Sequence, residues 1–125
     1  NWFKGVAEYA HVYVFWNENK IVGVGSISSF FGSLTESILL TIFVLPEFHG
    51  QGIGSYIIDT LEFDELFLRA KRIEIPASIT AVEFYRKNGY EYKNGIKELD
   101  DEQHYRLEKF RSIHNSKWRD NDNDN

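Results

Sequence analysis

Apolar and polar residues alternate over His11–Trp16, with Val12, Val14 and Trp16 on one side and His11, Tyr13 and Phe15 on the other. That period of two predicts a strand. The polar stretch Asn17-Glu18-Asn19-Lys20 predicts a turn and Ile21–Ser28 a second strand, so the two read as a hairpin. Phe30–Glu36, marked by Gly32, reads as a loop. Ser37–Leu45 is apolar on both faces, which predicts a central strand of a covered sheet, ended by Pro46. His49-Gly50-Gln51-Gly52-Ile53-Gly54 follows at once. From Ser55 to Ala70 the period becomes helical, with Ile53, Ile57, Leu61 and Leu68 on one face.

Arg72–Ile75 reads as a short strand ended by Pro76. Strand, helix and strand between Leu45 and Ile73 therefore predict a βαβ unit with parallel strands and a right-handed crossover. Thr80-Ala81-Val82-Glu83 has the form of a capping box, and Gly89 is placed to close the helix it opens. Tyr90–Lys93 and His104–Phe110 are the last predicted strands, joined by the acidic stretch Lys97–Glu102. Residues 1–110 read as one domain, and 111–125 as a polar tail expected to be disordered. The chain starts at Asn1 and contains no methionine, so it reads as a fragment or a processed chain.

Composition narrows the function. A chain of 125 residues has room for one domain with a real core. No apolar run approaches the roughly 18 residues of a membrane span, and no signal peptide is visible. Cysteine is absent, which removes disulfides and thiolate chemistry and fits a cytoplasmic protein. A net charge of −5 argues against a nucleic-acid partner. His11, His49, His104 and His114 are scattered without metal-ligand spacing, so no metal site is expected.

The glycine-rich turn carries the chemistry. N–H groups in the first turn of a helix lack partners inside the helix and form the positive end of its dipole. Glycines just before them let a phosphate approach the main chain without meeting a Cβ. The expected ligand is a phosphorylated cofactor.

Two motifs, in this order around a βαβ unit, identify it. His49-Gly50-Gln51-Gly52-Ile53-Gly54 is similar to the pyrophosphate loop of the GNAT superfamily of acyl-CoA N-acyltransferases. Ser78-Ile79-Thr80-Ala81-Val82-Glu83-Phe84-Tyr85-Arg86-Lys87-Asn88-Gly89-Tyr90 is similar to that family's tyrosine-bearing helix. The strand Thr41–Leu45 with Pro46 is the third shared piece, and the resemblance covers residues 10 to 110. It implies an α/β fold: a mixed, mostly antiparallel sheet, a central parallel βαβ unit and two central strands that splay apart. It implies acetyl-CoA as acyl donor and a small-molecule or peptide amine as acceptor. Phe43, Val44 and Leu45 would meet the pantetheine arm, and His49, Gly50, Gln51, Gly52, Ile53, Gly54 and Ser55 the pyrophosphate. Ser78 and Tyr85 would add cofactor contacts, with Arg86 and Lys87 as candidates for the outer phosphate. His49 stands where the family has Arg or Gln, and Ser78 where it often has Asn. The resemblance implies a strand and two helices before the first hairpin, where only about ten residues stand here, so the N-terminal part is expected to be missing. His11–Trp16 is then expected to be a bare edge that either self-associates, as a homodimer, or leaves the chain less stable than a longer one.

The reaction sets the roles. A lysine-like amine has a pKa near 10.4, so keeping it neutral at pH 7 costs roughly 4–5 kcal/mol. A base must supply part of that, and the resemblance points to Glu36 at the start of the central strand, acting through water. The leaving thiol has a pKa of about 8.5, so a phenol can protonate it, and Tyr85 holds the family's position. Tyr85 also fits plain core, and Glu36 a loop cap. The acidic stretch fits a solvated turn or a contact for a cationic acceptor. Two other functions fit the sequence: a non-catalytic CoA-binding module, and a dinucleotide-binding Rossmann domain, for which the third glycine would fall at Ser55.

Overall fold

The structure is a computed structural model and describes residues 10–112. The hairpin forms as expected from β1 (Ala10–Asn17) and β2 (Lys20–Ser29), and β3 (Glu36–Val44) follows the loop. After a 3₁₀ turn at Pro46–Phe48 come α1 (Ile53–Leu61) and α2 (Glu65–Leu68), then β4 (Arg72–Ala77), α3 (Val82–Lys87), β5 (Glu91–Tyr92) and β6 (Tyr105–Phe110). The six strands form one sheet in the order β1-β2-β3-β4-β6-β5. Among the described residues only β3 and β4 run parallel. A single parallel pair excludes the doubly wound Rossmann arrangement.

The parallel pair separates early. β3 and β4 are in register only from Glu36↔Arg72 to Ile38↔Glu74. Beyond that point β3 pairs with β2 alone among the described residues, so its edge towards β4 is open there from Leu39 onwards. A bulge lies at the point of separation. Gly25 faces Ile42 and Ile27 faces Leu39, which leaves Leu40 and Thr41 opposite Ser26. The Ser26 hydroxyl accepts the Thr41 N–H at 3.1 Å and holds the extra residue. Leu40, Thr41 and Phe43 are exposed, so β3 is not covered on both faces along its whole length. The apolar run predicted full cover; the splay uncovers the second half.

The core lies between the sheet and the helices. Ile57, Ile58 and Leu61 of α1 are fully buried, together with Ile27, Leu39, Ile73, Ile75, Tyr90 and Leu107. α1 can lie this close to β2 because of Gly23 and Gly25. A Cβ on Gly25 would fall 2.5 Å from Ile57 Cγ2, and one on Gly23 2.9 Å from Ile57 Cδ1. β1 is an edge of the sheet among the described residues, with Val12, Val14 and Trp16 exposed.

The expected helix from Ser55 to Ala70 is broken. Asp64 is extended (φ −70°, ψ 146°) and caps α2 by accepting the Leu66 N–H at 2.8 Å. The break rotates the face, so Leu68 is 40% exposed while Leu66 and Phe67 go into the core. The same carboxylate accepts the Tyr13 hydroxyl at 2.5 Å and His11 Nδ1 at 2.9 Å, and so ties β1 to α2. Burial pushes Asp64 up, but hydrogen bonds from Tyr13, Leu66 and His11 outweigh it and hold the carboxyl below its usual range. A carboxyl whose pKa falls on folding adds stability above its unfolded pKa, and loses it as pH drops through the folded value. Asp64→Asn should therefore be less stable at pH 7 and lose less on acidification below about pH 4. Urea melts of both proteins at pH 7 and pH 3 test this, and equal acid sensitivity would contradict it.

Two further boundaries move. Pro76 lies inside β4, opposite Arg106, and does not end the strand. It comes after pairing with β3 has stopped, where a missing N–H can face an open edge. The capping box does not form: Thr80 sits in the 3₁₀ turn Ile79–Ala81, and Ala81 caps α3 with no side-chain bond. Gly89 closes α3 as expected, at φ +98°, with Tyr90 N–H donating to Tyr85 O and Gly89 N–H to Arg86 O. Arg111, at the start of the expected tail, donates to the carbonyls of Phe67, Leu68 and Ala70. The rest of that expectation, beyond Ser112, lies outside the described residues.

Candidate active site at the strand opening

Three elements meet where β3 and β4 part: the free edge of β3, the loop into α1, and α3. The loop is the most specific. Gly50 and Gly52 both have positive φ (+81° and +82°), a conformation only glycine adopts without strain. A Cβ at either would meet nothing within 4 Å. None of the N–H groups from Gly50 to Ser55 donates a hydrogen bond among the described residues. Consecutive free N–H groups around left-handed glycines at a helix start form a concave anion-binding nest.

The other loop residues have distinct places. His49 Nε2 lies 2.8 Å from the Val44 carbonyl and ties the loop back to the end of β3. Gln51 and Ser55 are exposed, and Ile53 opens α1. Gly54 differs from its neighbours, since a Cβ there would lie 3.1 Å from Phe84 Cζ. That glycine lets α3 rest on the first turn of α1. On β3, Val44 pairs with Gly23 and Phe43 with Val24, and Leu45 N–H reaches Val22 O at 2.9 Å. Their ladder bonds run to β2, the Val44 and Leu45 carbonyls are taken by His49 and by Phe48 N–H, and β4 pairs with none of the three. Ser78 is exposed just past the end of β4.

Tyr85 is only 7% exposed, and its hydroxyl makes no hydrogen bond among the described residues. Burial pushes its pKa up to about 12. The ring stacks at a tilt on Phe84, with centroids 5.4 Å apart. An unpartnered buried phenol stays protonated and can donate to a ligand.

Glu36 lies apart from the loop. It sits on the part of β3 still paired with β4 and accepts from Arg72 Nη1 at 3.2 Å. Arg72 also donates Nε to Glu108 at 2.8 Å and Nη2 to the buried Glu74. Glu74 is bonded as well to Lys93 (3.1 Å) and to Arg106 (3.5 Å). Sequence reasoning missed this network, because its charges lie on four separate segments. Arg86 pairs with Glu83 and Glu91 and covers the Tyr92 ring. In the acidic stretch, Asp100, Glu102 and His104 come within 4.8 Å of one another. Asp100 is committed there to the backbone N–H groups of Glu102 and His104 and to Arg106. Among the described residues no helix is long and apolar enough to cross a membrane.

Comparison with known proteins agrees with this geometry. The acetyltransferase (GNAT) domain family matches residues 8–92. The fold is similar to that of a PaiA N-acetyltransferase from Thermoplasma acidophilum in complex with coenzyme A (TM-score 0.66, 16% identity, 82% of this chain and 62% of that one). It is similar to an acetyltransferase from Bacillus cereus (TM-score 0.65, 23% identity, 81% and 72%). It is similar also to an acetyltransferase from Thermus thermophilus (TM-score 0.68, 12% identity, 87% and 69%). The chain thus spans about three-fifths of the length of the Thermoplasma protein. No curated protein sequence matches it. The family match and the splayed mixed sheet lead to one conclusion: this chain belongs to the GNAT acetyltransferase family.

Proposed function

We propose that the domain moves an acetyl group from acetyl-CoA to a primary amine by direct attack within a ternary complex. The observation that carries this reading is the nest of free N–H groups from Gly50 to Ser55, opening beside the unpaired edge of β3. In this reading the pyrophosphate sits on the nest. The pantetheine arm lies along Phe43–Leu45 and takes the place of the missing β4 ladder. The amine attacks the thioester carbonyl, the C–S bond breaks, and the sulfur leaves with a proton from Tyr85. Glu36 takes the amine's proton through water.

Glu36 is shared with Arg72, so its removal affects more than proton transfer. Glu36→Gln keeps the shape and a hydrogen-bond acceptor. It should lower activity most at low pH, where the amine needs a base, and alkaline buffer should restore part of the rate. A uniform loss across the pH range would assign Glu36 to the Arg72 network alone. The reading as a whole is tested by following CoA release with small amines, polyamines, amino acids and peptide N-termini. Saturable CoA binding without turnover on any of them would leave only a binding module.

A further inference from the structure

Glu74 and Glu108 stand directly opposite each other on β4 and β6, on the face of the sheet that Ile73 and Ile75 do not share. Like charges in that position repel unless a cation lies between them. Arg72 supplies it, donating Nε to Glu108 at 2.8 Å and Nη2 to Glu74. Both carboxylates are sunk in the surface, with side chains 11% and 3% exposed. The Phe30 ring covers the guanidinium, with Cζ 5.4 Å from its centroid. The orientation of Arg72 is thus set without Glu36. A planar fork pinned through two of its nitrogens leaves the third a fixed direction.

That third nitrogen, Nη1, meets Glu36 Oε1 at 3.2 Å. Glu36 and Arg72 form the first rung of the parallel pair. The main chain of Glu36 is held as well: its N–H donates to Ser33 Oγ at 3.0 Å, and its carbonyl accepts the Phe30 N–H at 2.9 Å. Of the three carboxylates on Arg72, that of Glu36 is the most exposed, at 39%. Its Oε2 accepts no hydrogen bond among the described residues. A carboxylate tied through one oxygen to a rigid donor keeps the other aimed at one place. A base that works through a single water needs that constraint, since small misplacements cost rate steeply.

We propose that Arg72 is a positioning residue for the transfer reaction: pinned by Glu74 and Glu108, it holds Glu36 with Oε2 free for the water that carries off the amine's proton. The inference rests on the reading of Glu36 as the base. Steady-state kinetics with acetyl-CoA and the amine of the panel above that turns over fastest test it. Arg72→Lys keeps the charge but loses the fork, so it cannot serve three carboxylates at fixed angles. It should lower kcat by roughly 10- to 100-fold and leave the KM for acetyl-CoA unchanged. In the Glu36→Gln background the same change should cost nothing further. Arg72→Met combined with Glu74→Leu removes the guanidinium together with its most buried partner, an exchange that buried ion pairs commonly tolerate, and should show the same loss. If Arg72→Lys does not fold, this double variant decides. Lys93 contacts Glu74 at 3.1 Å and makes no bond to Glu36 among the described residues, so Lys93→Gln should lower the melting temperature and keep kcat. Wild-type kcat in the folded Arg72 variants would overturn the inference and leave Glu36 as the base. An equal kcat loss in Lys93→Gln, a raised KM for acetyl-CoA, or full additivity with Glu36→Gln would overturn it too, by making the network a matter of the fold alone. Wild-type kcat in Glu36→Gln, or no turnover on any amine, would overturn the reading of the base and the inference with it.

Discussion

Tyr85→Phe is expected to lower kcat by about 10²–10⁴-fold, the usual contribution of a general acid, with little change in acetyl-CoA affinity. The substitution removes one oxygen that has no hydrogen-bond partner among the described residues and keeps the buried ring. Stability should therefore hold, and a thermal melt separates a chemical effect from a structural one. The pH profile adds an independent readout. Burial pushes the hydroxyl up to about 12, so it remains protonated throughout the range in which the amine titrates. The wild-type rate should rise with pH as the amine loses its proton and then level off, without an alkaline fall near 10. Turnover at the wild-type rate in Tyr85→Phe would leave the tyrosine as core and place thiolate protonation elsewhere.

Gly52→Val should abolish most acetyl-CoA binding. Two effects act together, and they can be told apart. At φ +82° a β-branched residue is strained by roughly 1–3 kcal/mol, which distorts the loop. A Cβ there also points into open space, where the phosphate would come. Gly52→Asn relieves most of the strain, since asparagine tolerates the left-handed region, but keeps the obstruction. If obstruction dominates, both variants lose affinity by 100-fold or more, as expected when buried phosphate contacts are lost. If strain dominates, asparagine recovers binding. Gly54→Val is the contrasting case. Its Cβ meets the Phe84 ring at 3.1 Å, so it should lower the melting temperature as an overpacked contact does. Unchanged affinity in a folded Gly52→Val protein would remove the pyrophosphate assignment.

Much of this arrangement was legible in the chain. The period of two in β1 and β2, the turn at Asn17–Lys20, the glycine loop and the Gly89 helix end all appear where expected. Each depends on a few adjacent residues. Gly50, Gly52 and Gly89 occupy positive-φ positions, which is a local steric matter. The glycine pair Gly23 and Gly25 was a signal left unread: two glycines at alternate positions of a strand mark where a neighbour comes close.

The sequence by itself determined the order of elements, the hairpin, the glycine-rich loop and the family they point to, because these follow from periodicity and backbone sterics over short windows. Only the tertiary structure decided where α1 ends. Asp64 caps α2 while also binding His11 and Tyr13, residues more than fifty positions away, and no local pattern encodes that. Only the tertiary structure decided the splay, since the bulge at Leu40–Thr41 depends on the register against β2 and on a hydroxyl from Ser26. It also drew Glu36 into the Arg72 network and left the Tyr85 hydroxyl without a hydrogen-bond partner among the described residues. Charges and hydrogen bonds act between groups the chain brings together from distant positions, so their pairing becomes readable only once the sheet has assembled.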